Sequence, residues 1–352
     1  MMTEKKKIKI NAFNANELAA SDAQIFGLPF DEEESEVILL PVPWEVTVSY
    51  KTGAAKGFSA IYDASMQVDL YDEDLPDAWK HGIFMKKNSA AWKQKNSKMR
   101  KLAAAYLENL SEGKISEQDK KTVYEINTTC EKLNSWVKEQ CVEILEKNKF
   151  LGLVGGDHST PLGLYHALAE KYSDFGILHI DAHADLRDAY EGFTYSHSSI
   201  MFHALKISQL KKLVQVGLRD VCEAEVDIIK NSNRRVIAFY DSEMKKALYE
   251  GISWKTICEN IIQNLPQHVH ISFDIDGLDP KNCPNTGTPV PGGLEYEQTI
   301  YLFRRLVESG RQIIGFDLVE VAPGKDEWDA NVGARVLYKL CNLLVKSGVS
   351  VS

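Results

Sequence analysis

Cysteine is scarce and scattered: the 352-residue chain has six, Cys130, Cys141, Cys222, Cys258, Cys283 and Cys341, with no C-x-x-C pair. That spacing excludes a disulfide scaffold, a zinc knuckle and an iron–sulfur centre, and leaves buried or surface thiols. Long apolar runs are missing too, none approaching the ~18 residues that cross a bilayer, and the first residues lack the apolar core of a signal peptide. The expectation is a soluble, cytoplasmic protein with no membrane partner. Excess positive charge is also absent, the formal net charge being −9 at pH 7. No basic stripe alternates with aromatics, so binding to nucleic acid is not expected. The one basic cluster, Lys5-Lys6-Lys7-Ile8-Lys9, reads as a solvated tail.

What is present is an ordinary globular composition, 44% apolar and 26% charged, on a chain long enough for one large α/β domain. Val37 to Leu40 reads as a first buried strand, closed by the Pro41-Val42-Pro43 break. Residues 45–57, with Gly53 and Gly57, read as an extended loop entering a helix. The stretch 63–98 is irregular and is expected to form excursions outside the core. Helices follow at about 99–111 and 117–148, the second marked by a stripe of Leu133, Trp136, Val137, Cys141, Ile144 and Leu145.

Beyond residue 150, short apolar strands (150–154, 176–180, 213–217, 235–239, 268–273 and 312–317) alternate for the most part with helices (160–171, 198–209, 252–264, 298–309 and 329–346). That rhythm predicts a parallel sheet with helices on both faces and right-handed connections. Polar motifs follow four of these strands: Asp157-His158, Asp181 to Asp185, Asp274 to Asp276, and Glu320. In a parallel sheet all four leave at the carboxyl edge, where ligands bind.

Asp181-Ala182-His183-Ala184-Asp185 places two acids and an imidazole at two-residue intervals. If the strand pitch continues, all three side chains face one way. Taken alone, the motif fits a solvated turn, a one-metal site or part of a two-metal site. Ser272-Phe273-Asp274-Ile275-Asp276-Gly277-Leu278-Asp279-Pro280 repeats the theme with two carboxylates one residue apart. Facing acids raise one another's pKa unless cations hold them charged.

The candidate ligands are therefore His158, Asp181, His183, Asp185, Asp274 and Asp276. This set is too acidic for a closed structural zinc site and too rich in histidine for a typical Mg²⁺ site. Two Mn²⁺ ions fit it, while Co²⁺, Ni²⁺, Fe²⁺ and Zn²⁺ satisfy the same donors. Paired cations that lower the pKa of a shared water make hydrolysis the leading reaction type.

These motifs, with Gly155-Gly156-Asp157-His158-Ser159, Thr286 to Gly293 and Gly315-Phe316-Asp317-Leu318-Val319-Glu320-Val321, resemble the ureohydrolase family of arginases and agmatinases. The likeness spans roughly 145–347, with a weaker match at Pro41 to Gly57. It implies a three-layer α/β/α sandwich around a parallel eight-stranded sheet, one domain over 1–352, with 63–148 an atypical excursion. It implies two Mn²⁺ ions per subunit, His158, Asp181, Asp185 and Asp274 on one and Asp181, His183, Asp274 and Asp276 on the other. Three residues acquire catalytic roles by the same resemblance. Glu320 would hold the guanidinium, His197 would shuttle a proton to the departing amine, and Asp276 would assist collapse. A homo-oligomer, trimer or hexamer, is expected on the same ground.

The partner so implied is a small guanidino compound. The loop from Leu186 to Ser198 is closer in character to agmatinases than to arginases, although Ser198-Ser199 departs from the usual agmatinase continuation. Agmatine, giving putrescine and urea, is the preferred substrate. Arginase and formiminoglutamase activities are the enzyme alternatives, and a non-catalytic metal-dependent binding protein is the contrasting class. His179 is expected to play an ordinary core or supporting role, and Arg187 to form a salt bridge at the pocket rim.

Overall fold

The structure is a computed structural model that describes residues 4–17 and 23–349. In chain order its main elements are α1 (Glu4–Ala12), β1 (Val37–Pro41), α2 (Gly57–Ser65), β2 (Ile83–Met85), α3 (Ala90–Ser111) and α4 (Glu117–Glu146). β3 (Phe150–Val154), α5 (Leu162–Lys171), β4 (Phe175–Ile180), α6 (Ile200–Ala204), β5 (Leu210–Leu218), α7 (Glu223–Asn231) and β6 (Val236–Tyr240) follow. The chain continues through α8 (Asp241–Tyr249), α9 (Trp254–Ile262), β7 (His268–Asp274), α10 (Tyr296–Glu308), β8 (Gln312–Val319) and α11 (Trp328–Val349).

All eight strands pair in parallel, in the order β2-β1-β3-β8-β7-β4-β5-β6. Alternation along each strand splits the apolar side chains between two cores. Val37 and Leu39 of β1 join Ile61, Leu302 and Leu337 from α2, α10 and α11 on one face. Ile38 and Leu40 join Met99, Leu133 and Leu164 from α3, α4 and α5 on the other. The result is the expected three-layer α/β/α sandwich.

The irregular stretch 63–98 contains more order than its sequence indicates. β2 is a three-residue edge strand paired to β1, too short to register as alternation. α3 begins at Ala90 rather than near 99, where the Ser89 hydroxyl accepts the Trp92 backbone N–H and caps it. The buried positions Trp92, Asn96, Met99, Ala103 and Tyr106 then recur at helical spacing. α4 starts at a Ser116/Asp119 capping box. Trp136 of its expected stripe is only half-buried.

Three further expectations change. α7 and α8 had no strong sequence signal, and the helix expected at 198–209 is the shorter α6. The lysine cluster is no tail: it lies on α1, where Lys6 is 4% exposed and donates to Glu36 and to the His81 carbonyl. Lys9 pairs with buried Glu34 at 2.5 Å. Asp31 and Glu34, from the loop before β1, are the acidic partners of Lys5 and Lys9 on this helix. No helix among the described residues is long and apolar enough to cross a membrane.

Candidate metal centre

β3, β8, β7 and β4 are consecutive in the sheet, and each ends in one of the polar motifs. Ile180 pairs with Phe273, so Asp181 and Asp274 leave the sheet side by side. A Cβ on Gly277 would press on the Asp181 nitrogen and the Ile180 side chain, so glycine permits this approach of the two strand ends. On the β3 side a Cβ on Gly156 would overlap the Trp44 carbonyl. Asp185 and Glu320 both adopt left-handed backbone, with φ of 54° and 61°. Such conformations are costly for residues with a Cβ and concentrate where side-chain placement matters.

The carboxyl edge gathers two clusters of ligand atoms. His158, His179, Asp181 and Asp185 form one and Asp181, His183 and Asp276 the other, with Asp181 shared. His158 Nδ1 lies 3.0 Å from Asp181 Oδ2, 3.1 Å from Asp185 Oδ2 and 3.3 Å from Asp274 Oδ2. His183 Nδ1 lies 3.4 Å from Asp181 Oδ1 and 3.1 Å from Asp276 Oδ2. Backbone donors brace the acids: Asp181 accepts from His183 N, Asp276 from Ala182 N, and Asp274 from Asp276 N. The six residues proposed as ligands thus converge.

His179 also reaches the site. Its Nε2 meets Asp181 Oδ2 at 2.8 Å, while Nδ1 lies 2.9 Å from Gln215 Nε2. Both ring nitrogens are engaged, so the imidazole orients the Asp181 carboxylate instead of offering a free donor, which agrees with the supporting role expected of it.

The electrostatics are those of a buried acid cage. Burial, then the charges of Asp276 and Asp181, drive the Asp274 carboxyl well above the usual range. Burial and Asp181 raise Asp185. Burial opposes protonation of His158, but Asp181, Asp185 and Asp274 overcome it and raise that imidazole well above its ordinary value. His183 is pushed up to about 12, burial again being outweighed by Asp276 and Asp181. Asp181 is the exception: burial would raise it, yet His179, His158 and His183 hold it well below the carboxylate range.

The donor set fits a pair of divalent cations. His158 Nδ1 is a buried atom with no hydrogen-bond partner in geometry, and it is aimed at three carboxylates. Oxygen and imidazole donors in this ratio suit borderline divalent ions. The other nitrogen of His158 is anchored at 2.9 Å from Ser272 Oγ.

That anchor opens a buried network that sequence reasoning missed. Ser272 Oγ donates to Asp317 Oδ1 at 2.9 Å, Tyr165 OH lies 3.1 Å from Asp317 Oδ2, and His270 Nε2 lies 2.7 Å from the same oxygen. Ser272, Asp317, His270 and Tyr165 have no exposed surface. The available signal was polar residues interrupting apolar strands, Ser272 and His270 in β7 and Asp317 in β8, all on one face. Such a network is tolerated because nearly all of its polar atoms are paired within it, His270 Nδ1 being the exception.

His197 and Glu320 close the site beside the clusters. Glu320 Oε1 accepts from His158 N at 2.9 Å and lies 3.6 Å from His197 Nδ1. Burial lowers the His197 pKa, but Glu320, Asp157 and Asp185 reverse this and raise it. Asp157 itself rises to about 6 through burial and the Glu320 charge. It accepts from Ser159 and Thr47, so it braces the loop and leaves the metal face to His158.

A cavity of about 220 Å³ opens onto these groups, lined by Ser49, His183, Asp185, His197 and Asp220 among others. Arg187 makes no rim salt bridge among the described residues; its guanidinium stacks over the Tyr190 ring at 4.7 Å. Cys222 lines the same cavity and is the one half-buried thiol, the other five being buried. His81 and His203 bond elsewhere, to Glu36 and to the Thr194 carbonyl.

A parallel three-layer sheet whose carboxyl edge gathers two acid–imidazole clusters around a shared aspartate defines a candidate two-metal enzyme of the α/β class. The chain belongs to the arginase family, whose family model matches residues 35–342. A relative from Synechocystis sp., N(1)-aminopropylagmatine ureohydrolase, is 30% identical over 311 residues, 87% of this chain and 88% of that protein. The agmatinase of Bacillus subtilis is 27% identical over 320 residues, 89% and 93% of the two chains. The crystal structure of the agmatine ureohydrolase of Thermoplasma volcanium superposes with a TM-score of 0.70 at 20% identity, covering 98% of this chain and all of that one. At that identity the superposition establishes the fold. The expected ureohydrolase membership is therefore correct.

Proposed function

We propose that the chain hydrolyses the guanidino group of an amine-tailed guanidine, agmatine first, to urea and putrescine, with two Mn²⁺ ions per subunit. His158, Asp181, Asp185 and Asp274 would hold one ion and Asp181, His183, Asp274 and Asp276 the other. When bound, such a pair lowers the pKa of water and stabilises developing negative charge. The observation that carries this reading is His158 Nδ1, a buried nitrogen that faces the carboxylates of Asp181, Asp185 and Asp274 at 3.0, 3.1 and 3.3 Å without a hydrogen bond to any of them.

The chain's own groups do the rest. Glu320 accepts N–H bonds from the planar guanidinium and fixes its approach. His197, whose pKa is raised by Glu320, gives its proton to the amine nitrogen as the C–N bond breaks. Asp276 would accept a hydrogen bond from an amino group on the reacting carbon as the departing amine leaves. At the rim, the Asp220 side chain is 70% exposed while Arg187 is stacked on Tyr190. Arg187 lines the same cavity and keeps its charge, but its guanidinium is engaged by the Tyr190 ring, so it is the exposed Asp220 carboxylate that favours a cationic tail over the carboxylate of arginine.

A longer cationic tail is the second reading, favoured by the Synechocystis relative, whose name specifies N(1)-aminopropylagmatine. Urea release is to be measured on Mn²⁺-loaded protein with agmatine, N(1)-aminopropylagmatine and arginine, and formamide release with formiminoglutamate. The proposal expects urea from the amine-tailed compounds, lost on chelation and restored by Mn²⁺. Formamide alone would move the chain to the formiminoglutamase reading, and no turnover of any compound would leave a metal-dependent binding protein.

A further inference from the structure

The segment 44–48 is buried although it has no regular secondary structure. Buried irregular backbone must find its hydrogen bonds somewhere. It finds several on α3. Arg100 Nη1 donates to the carbonyls of Val46, at 2.9 Å, and Val48, at 2.8 Å. Asn96 Oδ1 accepts from Glu45 N at 2.8 Å, and Trp92 packs edge-on against Trp44.

The same helix pair holds the loop on the other side of the cavity. Tyr106 OH donates to the Glu191 carbonyl at 2.9 Å, and its ring packs against Phe193. Asn127 of α4 donates to the Gly192 carbonyl at 3.0 Å and accepts from Thr194 N at 2.9 Å. Glu191 and Gly192 have positive φ, so this turn is conformationally demanding and gains from external bonds.

The two loops meet at the reaction chamber. His197 N donates to Thr47 Oγ1 at 3.1 Å, and Ser49 Oγ lies 3.4 Å from His197 Nε2. Ser49 and His197 both line the cavity. One helical hairpin thus supports the backbone on both sides of a contact between two cavity-lining residues.

We propose that the α3–α4 hairpin is a positioning clamp for the substrate pocket. Arg100 fixes the segment that carries Thr47 and Ser49, Tyr106 and Asn127 fix the turn before His197, and together they set the Ser49–His197 spacing and hence the tails the pocket admits. The specificity part of this inference rests on the proposed guanidino hydrolysis. The clamp itself does not. Arg100, Tyr106 and Asn127 are positioning residues, acting on substrate only through Ser49 and His197.

The test uses the full-length, Mn²⁺-loaded protein. Arg100→Met keeps the flexible apolar stem of the side chain and removes its donors, and Tyr106→Phe removes one hydroxyl. Hydrogen exchange followed by mass spectrometry should show at least ~10-fold faster exchange in 44–50 for the first and in 190–196 for the second, with bound Mn²⁺ unchanged. On the best substrate of the panel, Arg100→Met should raise KM at least ~10-fold and lower kcat by a smaller factor, since the same contact positions His197. Combining it with Ser49→Ala should add nothing to the worse single variant, because both act at one contact. Arg100→Lys, which retains N–H donors, should recover part of the loss and serves in place of Arg100→Met if that variant fails to fold. Unchanged exchange in both loops, or acceleration spread evenly over the chain, would overturn the clamp. Additive kinetic losses would overturn its action through Ser49. A wild-type protein inert toward every guanidino compound would reject the proposed function, while the exchange data would still decide the clamp.

Discussion

His197 Nδ1 faces Glu320 Oε1 at 3.6 Å, beside the candidate ligand clusters, with His197 lining the cavity. This imidazole is half-buried, and desolvation would lower its pKa, yet the pKa is raised, Glu320 being the largest of the groups that overcome desolvation. Replacing Glu320 with Gln removes that charge, so the His197 pKa must fall and the protonated fraction at neutral pH with it. An NMR titration of the His197 ring in Glu320→Gln and wild-type protein checks the direction. Turnover should drop at least ~100-fold, since both approach geometry and proton delivery suffer.

Cation binding should release protons. His158 and His183 are raised by surrounding carboxylates, His183 to about 12, and Asp274 is raised as well. Ligation requires neutral imidazole nitrogen and ionised carboxylate. Affinity for Mn²⁺ should therefore increase with pH, and calorimetry in buffers of different ionisation enthalpy should report net proton release. Binding without proton exchange would contradict the protonation pattern. His183→Ala and Asp274→Ala should each lower bound metal and remove most turnover; full activity and metal content in both would reject the site.

Asp317 collects donors from Ser272, Tyr165 and His270 without exposed surface of its own. Asp317→Asn preserves shape but turns one acceptor into a donor facing donors. Its cost should be about 3 kcal/mol in urea denaturation. Because Ser272 also anchors His158, Mn²⁺ affinity should fall ~10 to 100-fold. Loss of stability with unaltered affinity would confine the network to a role in packing.

Asp74 illustrates the acid limb of stability. Burial would raise its carboxyl, but hydrogen bonds and charge from Lys339 and Arg304 lower it below the ordinary value. A folded-state pKa below the unfolded one stabilises above the unfolded value of ~3.9 and loses that contribution as pH falls through the folded value. Asp74→Asn should cost about 1 to 2 kcal/mol near neutrality, and the difference should shrink below pH ~4. A pH-independent difference would mean that charge is not its source.

The strand–helix rhythm after residue 150 was legible because each buried strand is a run of apolar residues bounded by turn chemistry. The four polar motifs were legible because they interrupt those runs. β2 and the start of α3 were not. A three-residue edge strand carries too little alternation, and α3 buries Asn96 and a tyrosine along with its apolar residues. The lysines of α1 misled for a different reason, since their acidic partners lie 25 or more residues away.

The sequence by itself determined which side chains could hold cations and that they would leave a parallel sheet on one edge, since strand parity and strand ends are local properties. Only the tertiary structure decided that β3, β8, β7 and β4 stand next to one another, which makes Asp181 common to both clusters. It also decided that Asp317 underlies His158 through Ser272, and that Arg100 reaches the Ser49 loop. Those relations depend on strand order and helix packing, which bring together residues whose separation in the chain carries no trace of their contact.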